Sequence, residues 1–322
     1  MNKIMLIAKK EWRDIIRSNI FAYVLILLGV VIFASLVVSV LVFDSQLKEY
    51  DKSILELKQI GKELTAPPPK LYPLNLLRGV VDYIEIVGAV LGILLGYISI
   101  SKERNTKALK ILLTRPITKK DIINGKILGN AFFIFSLMSS VAIFVYITIY
   151  VISGIFLNNT EVLKLVLFVI LSTMYMMIFF MLSVFFSLGQ KSTAHALIIT
   201  FVIWMVIVLI LPQIGDTMDP DNQVPGGFFK SMNIDKEQSK QIMSKFGTYE
   251  TIRNGLEQMS ITKHYERTMF AIFGIKNSYN DVPLQSIIID NSNYVIVIIA
   301  TLGISFLIGH VSLSKNKDYL ES

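Results

Sequence analysis

"IFAYVLILLGVVIFASLVVSVLVF", residues 20–43, contains no charged residue, and its reading decides the fold. A bilayer hydrocarbon core about 30 Å thick is crossed by roughly 20 apolar residues in a helix. The run meets that length. It exceeds the core of a cleavable signal, about 7 to 15 residues, and no small-residue cleavage pattern follows it, so it reads as a retained anchor. Five further stretches are similarly apolar, the first with Asp82 and Glu85 near its start: 81–101, 127–157, 165–188, 194–211 and 292–314. The 322-residue chain is 53% hydrophobic and only 17% charged, with a mean hydropathy of +0.59, outside the range of soluble domains. The predicted fold is an all-α polytopic membrane protein with six transmembrane helices.

Lysine and arginine set the expected orientation. Residues 1–19, 102–126, 189–193 and 315–322 carry 16 basic residues against 6 acids, whereas 44–79 and 212–290 carry 14 against 15. By the positive-inside bias both termini are cytoplasmic, and 44–80 and 212–291 are extracytoplasmic inserts. The net charge of +7 then belongs mainly to the inner membrane surface, where it favours anionic lipid. Nucleic acid is not needed to explain it.

Between the spans, apolar periodicity predicts helices. Residues 1–19 place Ile4, Met5, Ala8, Trp12, Ile15 and Ile16 at helical spacing with Lys9, Lys10, Arg13 and Arg17 on other faces, an interfacial amphipathic helix. In the first insert, Leu47, Tyr50, Ile54, Leu57, Gly61 and Leu64 alternate in steps of three and four before the extended "APPPKLYP". The second insert opens with the turn residues "MDPDNQVPGG". One helix is expected over about 234–263, striped by Ile242, Met243, Phe246, Tyr249, Ile252, Leu256 and Met259.

Within the spans, Gly88, Gly92 and Gly96 make a double small-xxx-small groove for close helix packing, with the partner in this chain or in a second copy. Asp82 and Glu85, one turn apart at the outer end of the same span, are candidates for a polar pathway or for a shallow, solvated position. Met177 and Met181, in a methionine-rich stretch with Met174, Tyr175 and Met176, are candidates for an adaptable apolar pathway or for ordinary packing.

Little catalytic chemistry is legible. There is no cysteine, and His195, His264 and His310 are scattered without partners at metal-ligand spacing, so no catalytic or metal site is assigned. Gly125-Lys126 lacks the upstream glycine and the following Ser or Thr of a phosphate-binding loop. If ATP drives this protein, another polypeptide binds it.

"SKERNTKALKILLTRPITKKDIINGK", residues 101–126, is too long for a turn between spans. Lys102 to Leu113 are good helix formers with Leu109, Ile111, Leu112 and Leu113 on one face and basic residues on another. Pro116 stops that helix at Arg115. Thr118 and Asp121 then predict a capping box that starts the next one. A helix, a sharp elbow and a second helix suit force transmission better than a flexible loop does.

At "ERNTKALKILLTRPITKKDIINGKILG", residues 103–129, the chain resembles the permeases of type 2 ABC exporters. Glu103, Arg104, Leu109, Leu112, Leu113, Thr114, Pro116, Ile117, Lys119, Gly125 and Lys126 match their cytoplasmic motif, while Lys107 and Ala108 depart from the usual Gly-Thr. "AKKEWRDIIRS", residues 8–18, is similar to the amphipathic N-terminal helix of these permeases, and the span order matches over most of the chain. The inserts resemble those of the gliding-motility and nitrous-oxide-reductase-maturation subgroup. The resemblance implies a non-enzymatic transport subunit in a prokaryotic cell membrane, paired with a second permease, either a copy or a relative, and with a cytoplasmic ATPase that binds ATP and Mg. It implies that 102–126 is a coupling helix and elbow seated on that ATPase through Glu103, Arg104, Leu109, Leu112, Leu113, Arg115 and Pro116, with Lys191 in a second contact loop. Outward movement of an amphiphilic or hydrophobic substrate is the leading expectation. A mechanical or signalling output to an envelope partner is the alternative.

Overall fold

The computed structural model describes residues 3–17, 19–59, 72–106, 118–154, 156–190, 192–218, 228–232, 234, 236–275 and 279–315, and among them no strand occurs. The helices are α1 (Lys3–Arg17), α2 (Ile20–Gln59), α3 (Arg78–Tyr83), α4 (Ala89–Thr106), α5 (Lys119–Ser153), α6 (Asn159–Gly189), α7 (Thr193–Trp204), α8 (Leu211–Met218), α9 (Phe228–Ser231), α10 (Lys236–Ser244), α11 (Gly247–Met259), α12 (Ile261–Phe273), α13 (Leu284–Asp290) and α14 (Ser292–Lys315). A 3₁₀ turn (Pro73–Leu77) leads into α3, and π-helical segments link α3 to α4 (Ile84–Gly88) and α7 to α8 (Met205–Ile210). Six helical runs are long and apolar enough to cross a membrane: Ala22–Gln59, Pro73–Lys102, Lys120–Val151, Asn159–Gly189, Thr193–Met218 and Ser292–Gly309.

The chain divides into two compact units. The first comprises Met1–Gly88, Pro116–Met174 and Thr268–Ser292. Here α1 and α2 are separated by Asn19, which adopts the left-handed conformation with φ 59°. Asparagine is one of the few residues that enters this region readily. The turn frees α1 from the direction of α2 and lets it pack along the start of α5. α2 also rests on α5, with Leu28, Ile32 and Leu36 as its buried residues. Beyond Leu36 no described residue of α2 is buried, yet the helix continues to Gln59. The first insert's helix is thus an extension of the first span, not a separate element. α5 ends at Gly154, whose φ of 66° is the usual glycine stop. Asn158 caps α6 with a side-chain acceptor to Glu161 N–H at 2.9 Å, while Glu161 returns a 2.7 Å bond to Asn158 N–H.

The second unit comprises Ala89–Arg115, Tyr175–Arg267 and Asn293–Ser322. α4 packs on α7 and on the second half of α6, and α8 packs on α11. The single helix expected over about 234–263 is instead α10, α11 and the start of α12. Its apolar stripe does not form the packed face. Ile242, Phe246, Tyr249, Ile252 and Met259 are exposed, while Glu257 is buried. Local periodicity identified the stripe correctly, but it carries no information on which face finds a protein partner.

Candidate functional site

Two sites emerge from these helices, a clamp at the start of α5 in the first unit and a helical corner in the second. The clamp begins at Thr118, next to the expected elbow at Arg115 and Pro116, which lies outside the described residues. Its hydroxyl accepts from Asp121 N–H at 3.2 Å and Asp121 Oδ2 accepts from Thr118 N–H at 3.0 Å, so the expected capping box is present. One and two turns later α5 presents Gly125 and Gly129 to α1. A Cβ on Gly125 would lie 2.6 Å from Ile7 Cβ, and one on Gly129 would lie 2.7 Å from Ala8 O. Both are too close for any side chain, so the two glycines form the bed in which α1 rests. Between them Lys126, only 3% exposed, donates to Glu11 Oε1 at 2.8 Å. A buried ion pair locks one register, because either charge alone in that position is costly.

Apolar periodicity in residues 1–19 found α1, but nothing in it showed that α1 has a seat. The signal was Gly-Lys-x-x-Gly at 125–129, a small-xxx-small pattern that becomes informative once α1 is known to need a bed. Leu109, Leu112, Leu113, Arg115, Pro116 and Lys191 lie outside the described residues. Glu103 and Arg104 fall in the last turn of α4, with their side chains outside the description.

The glycine groove of the second span is filled from within the chain. The carbonyl of Met176 in α6 faces Gly92. A Cβ on Gly96 would come within 2.5 Å of Phe180 O and 2.9 Å of Ser183 Cβ. Gly88 is buried at the end of the first π segment. Met177 and Met181 are buried too, and Met181 fills the space over Gly309 of α14. Both therefore stand in packed surroundings. Asp82 and Glu85 are half-buried on either side of the junction between α3 and the π segment, a type of irregularity often found at functional positions.

The corner between α11 and α12 was not legible. α11 descends along the fifth span: Tyr249 OH donates to Met218 O at 2.7 Å, Glu257 packs over Gly215, and Ser260 Oγ donates to Ile207 O at 2.6 Å. Ile207 lies in the π segment, where the altered ladder leaves a carbonyl able to accept a side chain. Ser260, fully buried, breaks the helix, and α12 turns back. Thr262 meets Tyr175 OH at 3.2 Å, and Tyr265 stacks on Tyr175 with ring centroids 4.6 Å apart. Tyr175 lies mid-way along α6, so the corner sits beside the interiors of two candidate spans. The segment over 212–291, expected as an insert outside the membrane, thus carries a corner that packs against two helices long and apolar enough to span.

Charged residues of α12 are ion-paired with neighbours, as burial favours. Lys263 Nζ lies 2.8 Å from Glu266 Oε2 and 3.1 Å from Asp216 Oδ1. Burial works to lower the lysine's pKa, but Glu266 and then Asp216 outweigh it and hold it above its ordinary value. Arg267 is paired with Glu257, bonds Tyr294 OH at 3.3 Å and lies 5.7 Å from that ring's centroid. His264 Nδ1 is 3.0 Å from Ser260 O. Among the described residues no cluster of three or more His, Asp or Glu side chains is arranged to hold a metal ion.

A search among curated proteins returned no match for the sequence. The family model for ABC-2 family transporter proteins matches residues 5–317, nearly the whole chain including both sites, and the chain belongs to that family as a membrane permease component of an ABC transporter.

Proposed function

We propose that this permease is the transmembrane half of an ATP-driven exporter, working with a separate cytoplasmic ATPase that binds ATP and Mg, and with a second permease. The observation that carries the reading is the clamp of α1 on α5. The segment 102–118 feeds directly into the capped start of α5, and that start is fixed to α1 by Gly125, Gly129 and the Glu11–Lys126 pair. α1 leads through Asn19 into α2. A push delivered to Leu109, Leu112, Leu113 and Pro116 would reach the first and third spans together. Glu103, Arg104, Arg115 and Lys191 are the proposed charge contacts to the ATPase.

The proposed setting is the plasma membrane of a prokaryotic cell, with 1–19 and 102–126 on the cytoplasmic side, and the subgroup is that of the gliding-motility and nitrous-oxide-reductase-maturation permeases. The substrate class is amphiphilic or hydrophobic. Asp82 and Glu85, at a half-buried irregular turn, are the pathway candidates; Met177 and Met181 would serve only if the packing around α6 opens during the cycle.

Replacing Leu109 and Leu112 by Asp is expected to abolish co-purification of the ATPase while leaving membrane insertion intact; unchanged co-purification would remove the coupling role. A mechanical output is favoured by one feature. α2 has 40 residues, about 60 Å at 1.5 Å per residue, roughly twice the hydrocarbon thickness. ATP-dependent solute flux in proteoliposomes separates the readings: flux supports export, and its absence with ATPase coupling intact supports the mechanical output.

A further inference from the structure

Within the first unit, α2 and α5 enclose a groove of about 550 Å³ that no side chain of the unit fills. Leu25, Gly29, Val30 and Phe33 form its α2 wall, and Ser140 and Phe144 belong to its α5 wall. Gly29 opens it. A Cβ there would meet nothing within 4 Å, whereas the glycines at 92, 96, 125 and 129 are imposed by close contacts. Glycine weakens a helix interior relative to alanine, and at Gly29 no close approach of another backbone offsets that loss. Ser140, the polar residue of the lining, donates its hydroxyl to Ser136 O at 2.9 Å, so the groove presents an apolar surface to whatever enters it. Its depth is set by the Asn19 turn. Leu25 stands about 9 Å of helix beyond Asn19 and Ala34 about 23 Å beyond it. A leaflet has roughly 5–8 Å of headgroup outside about 15 Å of hydrocarbon, so the groove spans the acyl zone of the leaflet in which α1 lies.

We propose that this groove holds one acyl chain of an anionic phospholipid, with the headgroup on the basic face of α1. The foot of the groove selects the headgroup. α1 packs on the base of α5 and joins α2 through Asn19, so its last turn lies at the foot of both walls. Lys9, Lys10, Arg13 and Arg17 are exposed on it, while Glu11 is turned inward to Lys126. Each basic residue close to an anionic headgroup is worth about a fivefold preference. The groove alone would take any acyl chain; the rim makes the choice. A lipid seated there braces the first span against the third. The site needs neither the ATPase nor a second permease, so it stands or falls separately from the coupling role.

The test uses the full-length chain in phosphatidylcholine nanodiscs doped with phosphatidylglycerol that carries a photoreactive diazirine midway along one acyl chain. A matched phosphatidylcholine with the same diazirine serves as the comparison, and adducts are located by peptide mass spectrometry. The expected result is that the phosphatidylglycerol adducts concentrate at Gly29, Val30, Ser140 and Phe144, several-fold above Leu27, which is 54% exposed at the same depth but outside the groove. The phosphatidylcholine probe should label the groove several-fold less. Gly29→Leu fills the space and should lower labelling at Ser140 and Phe144 several-fold. Arg17→Gln leaves the groove intact and should reduce the preference for phosphatidylglycerol about fivefold while leaving phosphatidylcholine labelling unchanged. Equal labelling by the two lipids, or equal labelling of the groove and Leu27, would overturn the proposal by showing ordinary surrounding lipid only. Labelling of Leu27 with none in the groove would overturn it by showing a protein segment or a second copy in that space. Labelling unaffected by Gly29→Leu would overturn it as well.

Discussion

Replacing Glu11 by Gln should detach α1 from α5, and the loss should be largely recovered when Lys126 is also replaced by Met. The two side chains are 13% and 3% exposed and their charged atoms are 2.8 Å apart. At an effective dielectric constant near 20 the direct attraction is about 6 kcal/mol. Desolvation cancels much of this, and removing one partner from such a pair typically costs about 3–5 kcal/mol because a buried charge loses its counter-charge. Glu11→Gln leaves the nearly inaccessible Lys126 ammonium, so its cost should fall in that range. Lys126→Met leaves the slightly more accessible carboxylate and should cost less. The double variant has neither charge and is expected within about 2 kcal/mol of the parent, since a buried pair and an apolar replacement are often close in stability. Hydrogen exchange of the α1 amides in nanodiscs reads this local equilibrium directly. At about 1.4 kcal/mol per tenfold, Glu11→Gln should lower protection over α1 by at least about 100-fold. A double variant whose loss equals the sum of the single losses would refute the pairing, because coupled partners must be non-additive.

Two further outcomes follow from the packing. Gly96→Leu places a side chain where even a Cβ comes within 2.5 Å of Phe180 O, so α4 and α6 must separate. A cost of about 3 kcal/mol or more, at the upper end of overpacking, should appear as a lower thermal midpoint in detergent, and an unchanged midpoint would mean that the two helices do not touch there. Arg267→Met removes one of the two cations beside Glu257, which is 9% exposed and keeps Arg253 at 3.9 Å, and should destabilise the α11–α12 corner by about 1.5–3 kcal/mol, the range for a hydrogen bond to a charged group. Adding Glu257→Gln should restore most of the lost amide protection in α12; no recovery would show that Arg267 acts through Tyr294 instead.

Long-range apolarity made the six spans legible, because each needs only a local run of about 20 residues. The start of α5 was equally legible, since Thr118 and Asp121 form a cap within four residues. The groove at Gly92 and Gly96 was visible as a pattern, though its partner in α6 was not. Sequence periodicity cannot name what lies opposite. The α11–α12 corner was the least legible element. Lys263, His264, Glu266 and Arg267 look like an exposed charged segment, and their burial depends on partners 10 to 47 residues away, namely Glu257, Asp216 and Tyr294. No local rule joins those positions. Likewise Lys126 reads as one more positive-inside lysine until α1 is laid against it.

Asn19 determines whether the clamp exists at all. Among the described residues, its left-handed backbone, with φ 59°, is the turn between α1 and the first span. The residues on both sides favour helix, so a β-branched residue such as Val at this position would penalise the turn and favour running the two helices together. The N-terminal helix would then extend along the line of the first span and could not lie on Gly125 and Gly129. One backbone conformation at one asparagine thus separates a permease whose first span is tied to the start of its third from one in which that span moves on its own.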